Sequence, residues 1–190
     1  VAVDAHDDAD GAVHRGVRRA QRSADPADPS WLAAYRERVS ADGGGRFAVE
    51  FLELLSFVPN PSTFALHQAT RQGYLYRYRD FAVRDLDAFL ERWSVTDLGA
   101  TATVAGRACG AIHLGPASGA GSTFDVALDL ETGLVLRAVE RDTQGVEIAR
   151  MEFESYDPAP DLEQVAWFTP SLAETPLDPS GELHDQAGFD

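Results

Sequence analysis

Residues 123–156, TFDVALDLETGLVLRAVERDTQGVEIARMEFESY, decide the fold. Phe124, Val126, Leu128 and Leu130 alternate with Thr123, Asp125, Ala127 and Asp129, the two-residue period of a half-buried strand. Thr132-Gly133 supplies a turn where glycine takes positive φ without steric cost. Leu134 to Arg141 is a second extended run, and Thr143-Gln144-Gly145 a second turn. Val146 to Tyr156 follows, with Ala149, Met151 and Phe153 on one face and Arg150, Glu152 and Glu154 on the other. The stretch predicts a three-stranded antiparallel meander whose charged face meets solvent or pairs across strands.

Working outward toward the N-terminus, Trp93 to Val104, the turn Ala105-Gly106-Arg107, and Ala108 to Leu114 predict a hairpin. A Gly-rich link over 115–122 joins it to the meander. Asp85 can cap a short helix carrying Leu86, Phe89, Leu90 and Trp93. Thr63 to Ala69 and Gly73 to Arg79 read as a strand pair, with Tyr74, Tyr76 and Tyr78 on one face of the second. Residues 46–58 fit a helical face (Phe47, Phe51, Leu54, Leu55, Val58) and also a buried strand. The turn at Pro59-Asn60-Pro61, with an extended segment beyond it, favours the strand. Asp28-Pro29-Ser30 reads as a helix start, with Trp31, Leu32, Tyr35 and Val39 on one stripe and Gly43-Gly44-Gly45 as its end.

The expected organisation is a flexible arm over 1–27, one domain over 28–168 and an acidic, Pro-containing tail over 169–190. A short helix over 11–22 in the arm would have almost no apolar face, because Arg15, Arg18, Arg19 and Arg22 occupy it. Pro158 and Pro160 end the sheet, and Leu162 to Phe168 is expected to dock as a short helix. The fold class is α+β: a curved antiparallel sheet of roughly seven to nine strands packed with two or three helices.

Thirty-one acidic residues against 16 basic ones leave a net charge of −15. Such a chain is repelled by nucleic acid and anionic head groups, so neither is an expected partner. Every basic residue is Arg; a P-loop lysine, a Schiff base and a lysine general base are therefore excluded. No run approaches the roughly 18 apolar residues of a membrane span. Val1 opens directly into an Asp-rich stretch, without a visible export signal. Cys109 is alone, which rules out an intramolecular disulfide, and it lies in an apolar run with no cation beside it to make a thiolate.

Chemistry-bearing motifs are missing where they would be needed. Gly115-Pro116-Ala117-Ser118-Gly119 has the wrong spacing for a nucleophile elbow, and Phe124 stands where a dinucleotide loop needs its third Gly. His6 to Gly11 echoes a calcium loop without its first Asp or its bidentate Glu. The His residues are scattered singly, without metal-ligand spacing. No catalytic residue, cofactor or metal is assigned, and a non-enzyme is expected. The best binding surface is the face carrying Tyr74, Tyr76 and Tyr78. Trp93, Phe124, Val126, Leu128, Met151 and Phe153 would continue that surface as a groove if the sheet curls; otherwise they are plain core.

Val104-Ala105-Gly106-Arg107-Ala108-Cys109, followed by Leu128-Asp129-Leu130-Glu131-Thr132-Gly133-Leu134-Val135-Leu136-Arg137, resembles the MucB/RseB group of the LolA-like superfamily of bacterial envelope proteins. Met151-Glu152-Phe153 resembles the group's next strand. The resemblance runs from about Tyr74 to Tyr156. It implies an open half-barrel with helices on the concave side, and a periplasmic or envelope location. It also implies that the chain binds a lipid, a lipoprotein or an apolar peptide, or regulates an anti-sigma factor as a membrane-protein partner.

Overall fold

The computed structural model describes residues 13–23, 32–43, 46–56 and 86–167. They form eight strands and one helix: β1 (Val13–Ser23), β2 (Leu32–Asp42), β3 (Phe47–Ser56), α1 (Leu86–Arg92), β4 (Trp93–Val104), β5 (Arg107–Pro116), β6 (Thr123–Asp129), β7 (Val135–Arg141) and β8 (Glu147–Asp157). All pair antiparallel in one sheet of order β3-β2-β1-β8-β7-β6-β5-β4. Two meanders, β1–β3 and β4–β8, are thus joined by the pairing of the first strand with the last. The expected meander, hairpin, strand over 46–58 and helix before Trp93 are all present.

The sheet curls without closing. β4 contacts β8 although β5, β6 and β7 lie between them, and Val39 of β2 shares a core cluster with Val104 of β4. One row of facing residues crosses the inner face of the whole sheet: Asp97, Ile112, Val126, Ala138, Met151, Ala20, Tyr35 and Leu54. In that row the two alanines, Ala138 and Ala20, sit on either side of Met151. Gly16 of β1 is needed because β8 leaves no room beside it. A Cβ there would meet the Ser155 carbonyl oxygen at 2.5 Å and the Phe153 ring at 2.6 Å.

Three expectations are corrected. The stretch read as a helix within a loose arm is β1, at the heart of the sheet between β2 and β8. Its inward positions are Gly16, Arg18 and Ala20, so no apolar stripe advertises it. The stretch read as a helix from Trp31 to Val39 is strand β2 from Leu32 on. Tyr35 and Val39, four apart, satisfy both the helical and the extended period, and buried Glu37 between them hid the alternation. Glu37 can lie inside because the Arg18 guanidinium donates to it at 2.7 Å. Residues 162–167 form a turn, with the Val165 N–H donating to the Leu162 carbonyl, rather than the expected docked helix. α1 is the single α-helix among the described residues. The strands expected over 63–69 and 73–79, the helix cap at Asp28, the arm up to residue 12 and the tail beyond 167 lie outside the described residues.

Candidate ligand-binding face

The two faces of the sheet differ in chemistry. On the outer face, charges that the sequence places at alternate positions neutralise one another across strands. Arg36 bridges Glu154 at 2.7 Å and Glu53 at 3.3 Å, while Arg38 pairs with Glu50. Within β8 itself, Arg150 holds Glu147 at 2.8 Å and Glu152 at 3.3 Å. His113 Nδ1 lies 2.8 Å from Asp125, whose other oxygen accepts from Arg141 at 3.1 Å. Burial pushes the Asp125 carboxyl up, but its hydrogen bonds with His113 and Arg141 outweigh this and hold it below its usual value. The Arg150 hydrogen bond likewise holds Glu147 low against the opposing effect of burial. These arginines are spent on carboxylates, so they make no basic patch.

The inner face carries the apolar side chains. Phe124, Val126, Met151 and Phe153 are all buried within one cluster, and Leu128 and Trp93 are packed against it. Trp93 meets Phe124 edge-on, with ring centroids 5.4 Å apart. Six of the nine residues expected to line a groove therefore share one face. Phe124, Val126, Met151 and Phe153 form a packed core, with Trp93 and Leu128 half-buried at its side. Tyr74, Tyr76 and Tyr78 lie outside the described residues. Charges flank the apolar row on both sides. Phe153, Arg18, Glu37 and Phe51 face one another along the neighbouring row, and buried Glu140 sits opposite Phe124 and Ala149 on the other.

The residues that carry the family resemblance meet at one end of the sheet. Arg107, which follows the β4–β5 turn, makes two parallel hydrogen bonds to Asp129 at 2.9 and 3.2 Å, and a further one to Glu131. The Thr132 hydroxyl donates to the same Asp129 carboxylate at 2.7 Å. The Arg107 guanidinium also lies 5.5 Å from the Tyr156 ring centroid, and that ring stacks on His14. Burial would raise the Asp129 carboxyl; the donors from Arg107 and Thr132 hold it below the usual range instead. The cluster ties the β4–β5 turn to the β6–β7 turn, so the motif that marks the resemblance is architectural. Nothing local in the sequence marks this contact, because 22 positions separate the arginine from its carboxylate.

Burial, reinforced by the Asp129 charge, pushes the Cys109 thiol up, which suits an inert packed side chain. Among the described residues no three His, Cys, Asp or Glu side chains are grouped to hold a metal ion. No described helix is long and apolar enough to cross a membrane.

No family model matches the sequence, and a comparison with curated proteins finds no match. Solved structures share the fold. The MucA/MucB complex of Pseudomonas aeruginosa aligns with a TM-score of 0.51 at 17% identity, over 86% of this chain and 59% of that one. MucB in complex with MucA(peri) gives 0.51 at 16% identity over 86% and 57%. MucB alone gives 0.50 at 16% over 86% and 60%. The chain spans about three fifths of the length of these MucB chains. The curved sheet is thus of the MucB type, as the resemblance implied.

Proposed function

We propose that this chain is a non-catalytic module of the bacterial cell envelope that binds an apolar chain (of a lipid, a lipoprotein or a peptide) along the inner face of its curled sheet. The observation that carries this reading is the continuous apolar row from Ile112 through Val126 and Met151 to Tyr35, in a sheet that curls but stays open between β3 and β4. Burying such a chain contributes about 25 cal/mol per Å² of apolar area. Because the row is already packed, the ligand enters by displacing what covers Phe124, Val126 and Met151. Trp93, at the start of β4, stands at the margin of the packed row. The acidic exterior keeps such a surface soluble and discourages self-association.

A second reading is favoured by the fold neighbours, two of which hold MucB with MucA. In it the chain is a regulatory protein that grips a membrane-protein partner. Native mass spectrometry of protein purified from a bacterial host, followed by lipid extraction, separates the two. A stoichiometric acyl species supports the inner-face ligand. A clean apo mass that does not shift on adding fatty acids or lipopeptides rejects the lipid and leaves the protein partner.

A further inference from the structure

We infer that the free edge of β4 is a strand-addition site for an extended, cationic segment of another protein; this rests on the second reading above and gives it a docking surface. Among the described residues the sheet has two edges, β3 and β4. β3 carries Glu50 and Glu53, tied to Arg38 and Arg36, the kind of charge that discourages edge pairing. β4 carries only Asp97 among its twelve residues, no Pro, and side chains exposed from Ser94 to Thr101. Val95 and Leu98 are 42% and 51% exposed, so the strand offers apolar contacts as well as backbone.

The hydrogen-bond phase of the ladder shows which groups are on offer. The Ala117 N–H donates to the Arg92 carbonyl at 2.8 Å across the facing pair Trp93 and Pro116. That pair is therefore of the non-hydrogen-bonded kind, as the absent N–H of proline requires. Ser94 and Thr96 then turn their backbone groups toward β5, while Val95 and Asp97 turn theirs away. Among the described residues no strand lies beyond them. The step in register between Asp97 and Thr101 limits the pairing run to the five residues Trp93–Asp97.

Charge selects the occupant. Exposed Asp87 and Glu91 on α1 and exposed Asp97 on β4 stand against Arg92 alone, on a chain of net charge −15. A cationic strand is drawn in, whereas a second copy of this chain brings like charge against like. Backbone pairing supplies the affinity, and alternate side chains at Val95 supply the fit.

The test follows amide exchange by NMR in the full chain, on adding a ten-residue synthetic peptide of alternating valine and arginine, with a valine–glutamate peptide as control. The expected result is at least tenfold slower exchange at Val95 and Asp97 with the cationic peptide only, Ser94 and Thr96 being unchanged. Val95→Pro removes an outward N–H and leaves the β5 ladder intact, so binding weakens at least tenfold. Should that variant unfold, Asp97→Arg keeps the backbone and must still weaken the cationic peptide severalfold. Slowing at β3 instead, equal binding of the acidic peptide, or a concentration-dependent dimer competing for β4 overturns the assignment while leaving the protein-partner reading standing. No slowing at any edge overturns the assignment and counts against that reading.

Discussion

Asp129 shows how one residue can hold two turns. It is 2% exposed and ionised only because Arg107 and Thr132 donate to it. Arg107→Ala leaves this carboxylate buried with only the neutral donors of Thr132, so chemical denaturation is expected to read a loss of about 3 kcal/mol. The same carboxylate predicts the acid limb of stability. With Asp129, Asp125 and Glu147 below their ordinary values in the folded state, the unfolded chain takes up protons first as pH falls. Stability should hold above the ordinary carboxylate range near about 4 and be lost as pH drops through the depressed folded values. A urea midpoint measured against pH checks this, and Asp129→Asn should flatten that limb while lowering the plateau. Gly16 is the opposite case, a residue fixed by what it lacks. Gly16→Ala drives a methyl against the Ser155 backbone, and a loss of about 1–3 kcal/mol is expected in the same assay.

At the scale of elements, the β4–β5 hairpin turns on Ala105 and Gly106, with φ of 49° and 77°. Positive φ at both positions is the condition of a type I′ turn, whose twist suits the flanking strands. Glycine meets it freely, but alanine does so at a cost of about 1–2 kcal/mol. Ala105→Asn is therefore expected to stabilise the protein by about 1 kcal/mol, read as a rise of a few degrees in Tm. β1 and β2 show where local pattern fails. Their inward positions include Gly16, Arg18, Ala20 and Glu37, so the apolar alternation that announces β6 to β8 is missing. What makes them strands is partnership: β8 and β2 satisfy the backbone of β1 on both sides, and the Arg18–Glu37 pair makes two polar inward positions compatible with burial.

For the whole molecule, β1 joins the two meanders. A fragment beginning at residue 28, the boundary that composition alone implied, lacks that join and leaves β2 and β8 with open edges. It is expected to lose cooperative thermal unfolding, whereas the chain retaining residues 13–23 keeps it; calorimetry of the two decides. The candidate site is also a property of the whole sheet. The inner row draws one residue from each strand, from Asp97 on one edge to Leu54 on the other.

The β4–β8 meander, its turns and the short helix before it are legible in the sequence. There the information is local: alternation, glycine at tight turns and a helical face within one element. It also set the acidic, lysine-free charge and placed Trp93, Phe124, Val126, Leu128, Met151 and Phe153 on one face. Tertiary structure alone decided that β1 joins the two meanders by pairing with β8, that Arg107 grips Asp129, that the inner row is packed, and that β4, whose one charge is Asp97, is left at an edge of the described sheet. Each of these depends on which distant segments become neighbours. A strand with few apolar residues acquires its conformation from partners whose identity no short window contains.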